Sequence, residues 1–183
     1  MSGDDLSKLS LGDWASGGAE PTAEPAARTG PGPDHVMESP VFRARVPGIW
    51  QRQALQGAPM GNAAFIHPAF GFSLFQTVVA PDPGERADTV EFVRRAMSAR
   101  LQSLEDNGHR VTPGRVAFTK KDFGPVGICD CTLDDVRYGV MVGYGFAEVA
   151  LIHFMDGDTG QEPAVKHNVQ LLLDTVERVA PLA

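Results

Sequence analysis

The side chains in this 183-residue chain that can do chemistry by type and spacing are two cysteines, five histidines and a few clustered acids. Cys129 and Cys131 stand with one residue between them. A structural zinc site takes four ligands, usually as two spaced pairs, and there is no second cysteine pair in the chain. Redox dithiols favour Cys-x-x-Cys at a helix start, a different spacing. On a strand, positions 129 and 131 share a face, and a bridge between such close neighbours is strained. The expectation is two reduced thiols packed in a sheet, with no metal and no cofactor.

The histidines and acids read the same way. His153 lies between Ile152 and Phe154 in an apolar run, which predicts a buried, hydrogen-bonded ring. His67 precedes Pro68 in an expected turn and is expected to be exposed, and nothing in the spacing brings His153 or His167 to the cysteines. No Gly-x-Ser-x-Gly nucleophile elbow is present. Asp156-Gly-Asp158-Thr-Gly160 has the look of a calcium-loop start. Its fifth position is Gly160 and its twelfth His167, where an EF-hand needs oxygen ligands, so a solvated loop is expected. Lys120-Lys121-Asp122 suits an exposed strand end. Gly143-x-Gly145 has two readings. Glycines inside strands mark a bend or a close backbone approach, so the pair is either a bent hairpin or a flattened patch where a partner peptide lies on the sheet.

These groups need elements to hold them. The most distinctive stretch is Arg137 to Met155, nearly uncharged and rich in β-branched, aromatic and sulfur-bearing residues. It reads as two strands buried on both faces. Ahead of it, Phe42-Arg-Ala-Arg-Val46 alternates as a half-covered strand. Ala63–His67 and Phe72–Ala80 follow as a meander. Val90, Val93, Met97, Leu101 and Leu104 then recur at helical spacing, with Asp88 and Glu91 as a capping pair and Asn107-Gly108 as the stop. Strands are expected over 115–121 and 126–133, with a turn at Asp134-Asp135. Val165, Val169, Leu172, Val176 and Val179 predict a closing helix, Pro163 in its first turn. The order is βββαββββα. Strands grouped around a helix mean an α+β domain with an antiparallel sheet of about six to seven strands and two amphipathic helices packed on it.

That domain spans residues 41–183, and residues 1–40 are of another kind. They hold seven acids and two bases, and their Gly-, Pro- and Ala-rich part cannot bury enough apolar surface to order itself. A disordered acidic tail is expected. Within it, Leu6, Leu9, Leu11 and Trp14 crowd four large apolar groups into nine residues. A helix so short is marginal alone, which suggests a linear motif that folds onto a partner groove or packs back on its own domain. The formal net charge is −7 and the pI about 5.1. That argues against nucleic acid or an anionic membrane as partner, since both need clustered positive charge. No run approaches the roughly 18 apolar residues of a spanning helix. The first ten residues lack the basic start and apolar block of a secretory signal, so a cytoplasmic location is expected.

The arrangement resembles the PsbP-like superfamily: the photosystem subunit PsbP, the Ran-release factor, DcrB proteins and the Eag chaperones of type VI secretion. The likeness rests on the Phe42-to-Trp50 run with its Val-Pro-Gly-x-Trp end, the strands to Val79 before a helix, the long antiparallel section, and the closing helix from Val165. It covers about residues 41–180. The superfamily has no catalytic signature to carry over, and its members resemble one another mostly in binding proteins. It implies a non-enzymatic cytosolic interaction module whose partner is another protein: an adaptor or chaperone associated with a secretion system or larger assembly. The alternative is a small-molecule-binding protein or enzyme with a pocket between sheet and helix, holding His153 or the cysteines.

Overall fold

The computed structural model describes residues 32–179, and the motif Leu6, Leu9, Leu11 and Trp14 lies outside them. Five strands come first: β1 (His35–Glu38), β2 (Phe42–Val46), β3 (Gln51–Gln53), β4 (Ala63–His67) and β5 (Phe72–Val79). Helix α1 (Val90–Asp106) is followed by β6 (Val111–Pro113), β7 (Ala117–Lys121), β8 (Gly124–Leu133), β9 (Arg137–Gly145) and β10 (Ala150–Asp158). Helix α2 (Glu162–Leu173) and a short β11 (Glu177–Arg178) close the chain.

An eight-stranded antiparallel sheet runs β3-β4-β5-β10-β9-β8-β6, with β7 also paired to β8. A smaller sheet, β1-β2-β11, is hydrogen-bonded separately from it. The α+β class, the antiparallel pairing and the two amphipathic helices are as the sequence predicts. The single sheet and the βββαββββα order are not. The missed strands are short or polar, His35–Glu38 and Gln51–Gln53 among them, and their alternation is too brief to register. β1 also corrects the tail boundary, because residues 35–38 of the expected linker pair with β2 from His35↔Val46 to Glu38↔Arg43.

The central strands are buried on both faces, and the helices explain why. On one side α1 lays Val93, Met97 and Leu104 over Cys129, Cys131, Met141, Ile152 and Phe154. On the other, α2 and the small sheet bring Val165, Val169, Phe42 and Val46 onto Tyr138, Val140, Tyr144, Leu151 and Met155. Each such aliphatic or aromatic side chain contributes about 1.5–3 kcal/mol on burial, which is why β9 and β10 need apolar residues at nearly every position.

Local signals set the ends. The Thr89 hydroxyl caps α1 by accepting the Phe92 N–H at 3.1 Å. Asp88, expected in that role, instead takes two bonds from Arg86 at 2.9 and 2.5 Å. Gly108, at φ +91°, ends α1 as expected. Asp134 and Asp135 both have positive φ, 53° and 59°, the backbone that a tight two-residue hairpin turn demands and short acidic side chains tolerate. The closing helix is shorter than its apolar stripe, because the chain turns after Leu173. The Thr175 hydroxyl then bonds the Arg45 carbonyl at 2.8 Å, and Val176 is buried in the core on the way to β11 rather than within a helix.

Candidate functional site

Gly143 and Gly145 do not form an open patch. Cβ atoms built there meet Val93 Cγ1 at 2.7 Å and Met97 Cγ at 2.9 Å at Gly143, and the Ala87 carbonyl oxygen at 2.7 Å at Gly145. The glycines let α1 approach the sheet closely, so a peptide has no room to lie on them. The partner-peptide reading of this pair is corrected on that ground.

The cysteines and His153 lie on opposite faces of the larger sheet. Cys129 and Cys131 pack under α1, both free and buried. Burial pushes the Cys131 thiol up to about 12 and raises that of Cys129, which leaves both as inert thiols. His153 faces the α2 side. Its Nε2 lies 2.9 Å from Gln76 Oε1, and Gln76 Nε2 donates to the Gly61 carbonyl at 2.6 Å. The Tyr144 ring stands edge-on to it at 5.3 Å. Burial lowers the His153 pKa to about 4, so the ring is neutral. A single pocket holding both His153 and Cys129 is ruled out by this geometry, since the sheet lies between them.

His67 is not exposed, as expected from the turn, but 5% accessible. The turn after β4 folds back, and the ring is caught between Trp50, edge-on at 5.0 Å, and Phe70, at 4.8 Å. Its Nδ1 accepts the Ala69 N–H at 3.3 Å, and burial lowers its pKa. His167 stays exposed on α2.

A polar cluster beneath the end of α1 has no counterpart among the sequence expectations. Asp156 was expected in a loop. It is a β10 residue, wholly inaccessible, with one carboxylate oxygen bonded by Arg137 Nε. Burial raises its pKa, while the Arg137 charge and hydrogen bond and the more distant His109 pull it down. Arg100 lies over the Phe75 ring at 5.7 Å, and its burial lowers its pKa against the pull of Asp156. His109 Nδ1 meets Asp134 Oδ2 at 2.7 Å, and this bond holds the Asp134 carboxyl below its ordinary value. Asp156 Oδ1, Arg100 Nε and His109 Nε2 are buried without a hydrogen-bond partner among the described residues. No three such groups among the described residues come together as a metal site. The signal that could have found the pair was parity: Arg137 and Asp158 are register partners, and Asp156 is two residues along the same face.

An open hollow of about 320 Å³ lies on the outer face of the smaller sheet, over Asp34, Val36, Glu38, Arg43 and Arg45. Arg43 is already paired to Glu38 at 2.5 Å and to Glu177 at 3.4 Å. Such solvent-exposed pairs contribute about 0–1 kcal/mol each, so this is a solvated face rather than a built site. Among the described residues no helix is long and apolar enough to cross a membrane.

Neither a family model nor a curated protein matches the sequence. Solved structures do match. The solution structure of cyanobacterial PsbP (CyanoP) from Synechocystis sp. superposes with a TM-score of 0.60 over 87% of this chain and 99% of that one, at 10% identity. This chain has the PsbP-like fold. A crystal structure from Bacteroides thetaiotaomicron aligns with a TM-score of 0.42, covering 76% of this chain and 45% of that one at 10% identity. The architecture of the PsbP-like domain is thereby shared with CyanoP, and at this identity the likeness is one of fold.

Proposed function

We propose that the chain is a non-enzymatic, cytoplasmic protein-interaction module. In this reading the PsbP-like domain is a scaffold, and the segment carrying Leu6, Leu9, Leu11 and Trp14 recruits another protein, as an adaptor or chaperone does for a secreted effector or a larger assembly. The observation that carries it is the fate of the reactive side chains. Cys129, Cys131 and His153 sit on opposite sides of a filled sheet, with their reactivity suppressed by burial. A fold of this kind hosts function through its surfaces, and the fold alone does not name the partner.

The test is affinity capture from cells that express the chain natively, comparing it with a variant in which Leu6, Leu9, Leu11 and Trp14 are all replaced by Ser. The expected result is one protein recovered at stoichiometric level with the native chain and lost with the variant. Recovery of no protein at that level, or equal recovery by both, overturns the proposal.

A further inference from the structure

The larger sheet has an apolar end that the described residues leave uncovered. Ile49 is 43% exposed and Phe70 45% exposed. They flank one aromatic group, since Ile49 precedes Trp50, and Trp50 and Phe70 both pack on the His67 ring. Pro68 and Ala69, also exposed, complete the surface. The Gln51↔Ile66 pairing sets the start of β3 beside the end of β4, so these residues lie together. β3 is a terminal strand of its sheet, with Gln51 and Arg52 exposed. One edge of its backbone therefore has no strand partner among the described residues.

The chain comes onto the domain at this same place. A Cβ built on Gly48 would meet the carbonyl oxygens of Gly32 and Pro33, so residues 32–33 lie against Gly48, next to Ile49. The described residues thus begin at the margin of the apolar end. Seventeen residues separate Gly32 from Trp14. A flexible link of that length has a root-mean-square span of roughly 23 Å, which corresponds to an effective concentration of order 1 mM. Charge agrees with the placement. Arg52, the cation of β3, is exposed, and no acid lies between Ser39 and Pro81, whereas Asp4, Asp5 and Asp13 surround the apolar motif; Arg43 and Arg45 stand on the smaller sheet beside Glu177 and are not part of this surface.

We propose that the Leu6–Trp14 segment docks on its own domain, over Ile49, Pro68 and Phe70 and along the open edge of β3, and that a partner must displace it. This rests on the reading that the segment is the partner contact. It adds that the contact is occluded in the free protein. With an intramolecular dissociation constant of about 0.1 mM against an effective concentration of about 1 mM, the docked form is favoured about tenfold, and partner affinity is reduced by the same factor.

The test needs no partner, so its failure is separable from failure of the capture experiment. Amide hydrogen exchange is measured on the full chain and on the Leu6, Leu9, Leu11 and Trp14→Ser variant, with circular dichroism confirming that both are folded. The expected result is about tenfold faster exchange in the variant at residues 49–53 and 69–71, unchanged elsewhere and independent of protein concentration. The double variant Ile49→Ser, Phe70→Ser, with the motif intact, should show the same acceleration at residues 51–53. Superimposable profiles overturn the proposal. So does protection at these residues that rises with protein concentration, which would assign the surface to a second copy of the chain.

Discussion

Replacing Arg137 by Met would expose how much the buried carboxylate of Asp156 depends on its cation. Asp156 is wholly inaccessible, whereas the Arg137 side chain retains 30% exposure. Met keeps much of the stem and removes the charge. Taking one partner from a buried pair commonly costs about 3–5 kcal/mol, because the other charge is left uncompensated. Two features hold the figure down here. His109 still favours the charged form of Asp156, and Arg100 lies within its field. The carboxyl can also escape by taking a proton. Starting from its ordinary value of 3.8, protonation costs about 4.4 kcal/mol at pH 7 and about 1.6 kcal/mol at pH 5. Those costs are ceilings on the charge penalty. The expected loss is therefore about 3 kcal/mol at pH 7, shrinking to about 1.5 kcal/mol at pH 5. The sign follows from the raised pKa of Asp156: its contribution is fully present below 3.8 and is lost as pH rises through the folded value. Removing Arg137 raises that value further. Urea unfolding followed by far-ultraviolet circular dichroism at both pH values measures the difference, with the slope against urea unchanged. A loss under 1 kcal/mol at pH 7, or an equal loss at the two pH values, would refute the reasoning.

Four further outcomes are expected. Gly143→Ala drives a Cβ into Val93 and Met97 and should cost about 1–3 kcal/mol in urea unfolding; Gly160→Ala, where a Cβ meets nothing within 4 Å, should stay within about 0.5 kcal/mol of the parent. Thr89→Ala removes the α1 cap and should cost about 1 kcal/mol by the same assay. His153 is held near 4 against an ordinary 6.5, so its contribution is present above pH 6.5 and lost as pH falls toward 4, up to about 3 kcal/mol; His153→Asn should lack that loss in unfolding curves taken across the window. The Cys129 and Cys131 thiols, buried and raised, should react with a disulfide reagent at pH 8 only at the rate of protein opening, and rapid stoichiometric labelling of the native protein would contradict their burial.

What the sequence made legible is what periodicity encodes. α1 and the β8–β9–β10 section showed themselves because long apolar patterns are set by burial, and burial is what the fold satisfies. The shared face of Cys129 and Cys131 followed from strand parity alone. The errors have one origin: the sequence shows a residue's neighbours in the chain, while its surroundings come from elsewhere. His67 reads as a turn residue, yet Trp50 and Phe70 close over it. Asp156 reads as loop, because a carboxylate at the end of an apolar run looks like a stop signal, and Arg137, nineteen positions away, is what permits its burial. Gly143 reads as a bend or an opening, and the packing of α1 onto that spot is a long-range event. The apolar end at Ile49 and Phe70 had no local mark, since each stands within two positions of an aromatic residue that is buried, Trp50 and Phe72, and nothing local separates the exposed side chain from the buried one.

β10 also joins two titrations of opposite sign. His153 and Asp156 stand three positions apart, so their side chains leave the strand on opposite faces, one toward α2 and the other toward α1. Burial disfavours charge on both. For the histidine that lowers the pKa, and for the aspartate it raises it. As pH falls from 6.5 toward 4, the neutral His153 becomes harder to keep and stability drains away, while the charged Asp156 gains an easier neutral state and stability returns. The acid limb of the native protein is therefore a difference between two terms set in one strand. His153→Asn should leave the aspartate term uncovered, so stability rises toward acid relative to the parent. Asp156→Asn should leave the histidine term uncovered and steepen the fall. If both variants shift the acid limb in the same direction, the two groups are not titrating as their surroundings dictate.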